Sequence, residues 1–153
     1  MEKLPAKYGL SLVVLICMLV WSHAFGDDVK IHTVETEYQD GKQEIRVLVP
    51  DDYRKDKYYR VLYVLPVEKG FDERYGYGLG VLRGMDAHNE YDIIIVQMGF
   101  GKEPWYGDHA TDPKTRQASY LREFVVPFVE SHYSTMQIPE GRLLFGFSKS
   151  RAL

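Results

Sequence analysis

The sequence predicts an α/β fold, a mainly parallel sheet with an antiparallel N-terminal hairpin. Three observations carry this. Two early segments alternate apolar and polar residues on either side of Asp40-Gly41, three later runs are continuously apolar, and helical spacing separates those runs. Continuous apolar runs suit strands covered on both faces, and strands alternating with helices call for right-handed crossovers in a parallel sheet.

The chain has 153 residues, 45% of them hydrophobic and 27% charged, which matches one folded domain rather than a disordered chain. The net charge of −3 is spread along the sequence without a basic cluster, so nucleic acid is not an expected partner. Twelve tyrosines raise the aromatic content to 14%, a composition that would suit a carbohydrate or aromatic-ester cleft, although core and rim packing explain most tyrosines.

Residues 1–24 read as a secretory signal peptide. Lys3 and Lys7 precede an apolar block from Leu10 to Trp21, and Ser22-His23-Ala24 offers small residues for cleavage after Ala24, or after Gly26 as second choice. The block is shorter than the ~20 residues of a membrane-spanning helix, so no stable membrane anchor is expected. Cys17, the single cysteine, leaves with the leader, and Ile16 before it is not the small residue a bacterial lipoprotein needs. The mature chain is then disulfide-free, secreted or periplasmic, and shifted from −3 to −4 by the loss of Glu2, Lys3 and Lys7.

The domain from residue 27 to 153 opens with the hairpin: Val29, Ile31 and Thr33 alternate, Asp40-Gly41 turns, and Ile45, Val47 and Val49 alternate again. Tyr59 to Val67 is the first buried strand. Gly70, Gly76, Gly78 and Gly80 follow in a tightly turning segment whose spacing fits neither a P-loop nor a dinucleotide fingerprint. Leu79, Leu82 and Met85 then recur at helical spacing, predicting a helix to about Asn89, and Ile93 to Val96 forms the second buried strand.

Residues 97–112 make a glycine- and aromatic-rich loop with Phe100, Trp105 and Tyr106, placed where open parallel sheets bind ligands. Trp105 and Tyr106 are the substrate-cleft candidates. Asp108 and His109 could be half a triad or a metal pair, but adjacent residues rarely converge on one atom and two ligands fall short of a zinc site. Loop hydrogen bonding is their expected role, and no metal site is expected. Asp112-Pro113 is a helix-start signal, with Tyr120, Leu121, Phe124, Val125, Phe128 and Val129 on the buried face and a kink or break expected at Pro127. Glu140-Gly141 turns the chain into Arg142 to Phe145, the third buried strand.

That strand runs into Gly146-Phe147-Ser148-Lys149-Ser150. A serine flanked two residues either side by small residues, directly after a strand, has the form of a nucleophile elbow, in which a tight strand-to-helix turn tolerates nothing bulky at those places. Ser150 stands where glycine is usual.

With Val61-Leu62-Tyr63-Val64-Leu65, Trp105-Tyr106-Gly107-Asp108-His109, Val125-Val126-Pro127-Phe128-Val129-Glu130 and this elbow in place, the chain resembles the first half of an α/β-hydrolase. It is most similar to the esterase family that includes esterase D and enterochelin-esterase-like proteins. The resemblance covers residues 29 to 150. It implies that Ser148 is the nucleophile and that the backbone N–H groups of Lys149 and Glu68 form the oxyanion hole. Pro66-Val67 replaces the His-Gly of many relatives. The substrate would be a small-molecule or carbohydrate-linked carboxylic ester, and no cofactor is implied.

In this fold the acid and histidine follow the serine, whereas here only Arg151, Ala152 and Leu153 follow Ser150, and His23, His32, His88, His109 and His132 all precede Ser148. The expectation is therefore an N-terminal part of an esterase domain with negligible hydrolysis alone. The alternative is a secreted, non-catalytic carbohydrate-binding domain that uses its aromatic loop.

Overall fold

The structure is a computed structural model that describes residues 28–70 and 77–148. The signal-peptide segment lies outside the described residues. In chain order the elements are β1 (Val29–Glu35), β2 (Lys42–Leu48), β3 (Arg60–Leu65), α1 (Gly78–Gly84), α2 (Ala87–Glu90) and β4 (Ile93–Met98). Then come α3 (Gln117–Ser119), a π-helical segment (Tyr120–Val125), α4 (Val126–His132), a 3-10 turn (Pro139–Gly141) and β5 (Arg142–Gly146).

The five strands form one sheet in the order β1-β2-β4-β3-β5. β2 is antiparallel to both β1 and β4, while β3 is parallel to both β4 and β5, so β2 alone opposes the other four. The predicted class holds, hairpin included. Gly41 closes the hairpin at φ 68, a left-handed conformation that glycine adopts without a Cβ clash.

Side-chain alternation sends the strands' apolar residues to two layers. Ile45, Val47, Val61, Tyr63, Ile94 and Val96 face the helical stretch from 117 to 132, whose Tyr120, Leu121, Val125 and Val129 cover them. Leu48, Val64 and Ile95 face α1 and α2, through Leu79 and Ala87. β4 is buried along its whole length, which is why its sequence is an uninterrupted apolar run.

Several expectations need correction. The helix predicted to run to Asn89 breaks at Asp86, which takes a left-handed φ of 58 and leaves Met85 exposed. Gly78 and Gly80 lie inside α1 rather than in a turning loop. A Cβ on Gly78 would sit 2.7 Å from Val64 Cγ1, so the glycine lets α1 close onto β3.

Asp112 does not cap the long helix. Its carboxylate accepts the Lys114 N–H, the Thr115 hydroxyl and Lys102 Nζ, which closes a local turn, and the helix starts at Gln117. Pro127 neither breaks nor ends it. The preceding turn widens to π geometry, which accommodates a residue that has no N–H to donate and a ring that would collide with the α-helical carbonyl before it.

β5 departs most from expectation, since the third buried strand is an exposed edge. Leu144 is 55% and Phe145 50% exposed, on opposite faces, and Phe147 beyond them is 56% exposed. Among the described residues β5 pairs only with β3. The other edge, β1, is guarded by Lys30, Thr33 and Glu35, whereas Leu143 to Phe145 carry no charge. The purified chain is therefore expected to self-associate, and Leu144→Lys to shift it toward monomer in sedimentation velocity. An unchanged distribution would show that this edge does not drive association.

Candidate active site

Because β3, β4 and β5 are parallel, the segments that follow them leave from the same edge of the sheet. Leu65 is opposite Gly146, so the Pro66-Val67-Glu68 bend after β3 and Ser148 after β5 emerge side by side. Val64 is opposite Gln97, which brings the aromatic loop after β4 to the same edge.

Ser148 is exposed and has φ 59, the left-handed region that a serine seldom occupies. Gly146 stands two residues before it at the end of β5. Lys149 and Ser150 lie outside the described residues. The elbow spacing read from the sequence thus coincides with backbone strain at the serine itself.

Glu68 is half-buried on the bend after β3. That bend is held from below: Tyr106 Oη donates to the Pro66 carbonyl at 2.6 Å, and Gly70 N–H donates to the Phe100 carbonyl at 2.8 Å. Tyr106 is only 3% exposed, packs edge-on to Phe100 at 5.4 Å, and has φ 57. Burial pushes its phenol far above the usual tyrosine range, so it remains a hydrogen-bond donor at any physiological pH. Of the two cleft candidates, only Trp105 faces solvent; Tyr106 braces the loop instead.

Gln117 organises the same loop. Its Oε1 accepts the N–H of Trp105 at 2.7 Å and of Tyr106 at 3.0 Å, and its Nε2 donates to the Glu103 carbonyl at 2.8 Å. Gln97, buried on β4, accepts the Leu79 N–H at 3.1 Å and so ties α1 to the strand. Sequence reasoning missed both glutamines. A glutamine opening an amphipathic helix looks like a solvated residue, and nothing local announces that its amide is turned inward.

Asp108 accepts the N–H and hydroxyl of Ser119 at 3.0 and 2.7 Å, capping the long helix from a distance in sequence. Desolvation would raise its carboxyl, but the two Ser119 hydrogen bonds and the Arg116 charge outweigh it and hold the carboxyl below its usual range. His109 Nδ1 accepts the N–H groups of Thr111 and Asp112. These neighbours therefore turn to different partners and serve loop structure. Among the described residues no group of three or more His, Cys, Asp or Glu is arranged to hold a metal ion.

The other described histidines have neighbours of their own. His32 meets Tyr133, His132 meets the Phe128 carbonyl, and His88 lies 3.9 Å from Asp51 and 3.8 Å from Asp86. Among the described residues no hydrogen bond joins a histidine or carboxylate to Ser148. No helix of these residues is long and apolar enough to cross a membrane.

No protein-family model matches the sequence, and no curated protein matches it. Solved structures do match in fold. A ferulic acid esterase aligns with a TM-score of 0.61 at 20% identity, over 76% of this chain and 48% of its own. An S-formylglutathione hydrolase from Agrobacterium tumefaciens aligns with a TM-score of 0.59 at 15% identity, over 78% and 48%. A ferulic acid esterase from the anaerobic fungus Anaeromyces mucronatus aligns at 0.55 and 22% identity, over 79% and 49%. The chain thus has the fold of α/β-hydrolase-type esterases and spans about half the length of those structures.

Proposed function

We propose that this chain carries the nucleophile half of a secreted carboxylic ester hydrolase. The observation that carries the proposal is Ser148 held at φ 59 directly beyond a parallel strand, with Gly146 two residues before it. In this reading Ser148 Oγ attacks the ester carbonyl, the alcohol leaves, and water releases the acid from the acyl-serine. The N–H groups of Lys149 and Glu68 stabilise the oxyanion, and the Tyr106–Pro66 hydrogen bond steadies the bend that bears Glu68.

The proton on Oγ needs a base, and among the described residues no histidine hydrogen-bonds to Ser148. The 153-residue chain by itself is therefore expected to hydrolyse p-nitrophenyl acetate no faster than its Ser148→Ala variant. The decisive experiment treats the protein isolated from its natural source with a fluorophosphonate and maps the labelled peptide. Label on Ser148 supports the proposal; label on another serine, or none, sinks it.

A second reading, a secreted carbohydrate-binding domain, is favoured by the 67% exposure of Trp105. It requires glycan binding that Ser148→Ala leaves intact and Trp105→Ala abolishes.

A further inference from the structure

Among the described residues β1 is one edge of the sheet, with Val29 and Val34 packed against the core and polar contacts on either side. Asp28, just before it, pairs with Arg83 of α1 at 2.8 Å on one side. On the other side His32 Nε2 lies 2.7 Å from Tyr133 Oη, just past the end of α4. The His32 ring stands edge-on to Phe128 at 5.2 Å and 5.8 Å from the His132 ring. His132 is itself fixed, stacked on Phe128 at 4.1 Å with Nδ1 donating to the Phe128 carbonyl at 2.7 Å.

We propose that His32, His132 and Tyr133 form a pH-sensitive clasp that holds β1 against the end of α4 and releases it on acidification. In the neutral state Nε2 of His32 accepts the Tyr133 hydroxyl proton. Burial, then Tyr53, push the Tyr133 phenol up to about 12, so Tyr133 keeps that proton to donate. Protonation of His32 turns Nε2 into a donor, so that the Tyr133 hydroxyl has to reverse and accept, and it places a partly desolvated cation beside His132 and beside Lys30 on the same strand face.

Among the described residues no carboxylate lies close enough to His32 to offset that charge. β2 presents Ile45 opposite His32, with Gln43 and Val47 flanking it on that face. Tyr53 reaches Tyr133 from the loop after β2 and is neutral. Glu130 of α4 is paired with Arg142 on β5 at 2.7 Å.

Desolvation first, then His132 and Lys30, lower the His32 pKa below 6.5. The folded chain thus binds this proton less readily than the unfolded one. The clasp's contribution is complete above 6.5 and is lost as pH falls from there through the folded value.

Hydrogen exchange of the purified chain, corrected for intrinsic rates, tests this at about pH 7.5 and about pH 5.5. Protection of residues 29–35 is expected to fall further than that of β3, by at most about tenfold, the linkage limit over this range for a histidine whose ordinary value is 6.5, and His32→Gln to abolish the difference. His132→Gln, which leaves the His32–Tyr133 hydrogen bond in place, is expected to shrink it. Equal losses in β1 and β3, or an unchanged difference in both variants, would overturn the clasp.

Discussion

Gln117→Leu is expected to lower the melting temperature by roughly 10 °C, corresponding to about 3 kcal/mol. Leucine fills the same space but leaves the N–H groups of Trp105 and Tyr106 and the carbonyl of Glu103 without the partner they have at 2.7, 3.0 and 2.8 Å. A buried polar group stripped of its partner keeps its desolvation penalty, about 1–3 kcal/mol, and Gln117 is 1% exposed. Gln117→Glu retains the two acceptor bonds and should lose less. Differential scanning fluorimetry reads the size of the effect, and trypsin cleavage at Lys102 or Lys114 reports whether the loop opens first. A loss below about 3 °C would mean that the Asp108–Ser119 cap, rather than Gln117, holds the loop.

Substitution of Ser148 is expected to move stability and chemistry in opposite directions. At φ 59 any side chain with a Cβ is strained by about 1 kcal/mol, and glycine is not. Ser148→Gly should therefore be about 1 kcal/mol more stable than Ser148→Ala, which keeps the strain, while Ser148→Val should be less stable than either. In the source protein both Ser148→Gly and Ser148→Ala are expected to reduce ester hydrolysis at least about a thousandfold, because no acyl-serine can form. Paired measurements of unfolding midpoint and p-nitrophenyl ester turnover separate the two effects. If glycine gave no gain over alanine, the left-handed turn at residue 148 would not exist in solution. If turnover survived the loss of the hydroxyl, the nucleophile would be another residue.

The buried strands were legible because burial on both faces demands unbroken apolar runs: Ile93 to Val96 and Val61 to Leu65 admit little else. The same logic misplaced β5. Its apolar run is that of a covered strand, yet among the described residues only β3 lies beside it, so pattern recorded what the strand can pack against rather than what does. Asp112-Pro113 misled for a related reason. A capping residue signals a turn that needs an acceptor, and here that turn closes on Thr115 and Lys114 instead of opening the helix.

By itself the sequence determined the order of strands and helices, the hairpin turn at Asp40-Gly41, and the small residue before Ser148, because each rests on local periodicity or on sterics within a few residues. Only the tertiary structure decided that Tyr106 braces Pro66 from 40 residues away, that Gln117 holds the aromatic loop, that His32 meets Tyr133 across 101 residues, and that Ser148 takes a left-handed turn beside the Glu68 bend. Those contacts join residues far apart in the chain. Their free energy comes from burial and from partners that exist only once the sheet has brought its carboxyl ends together.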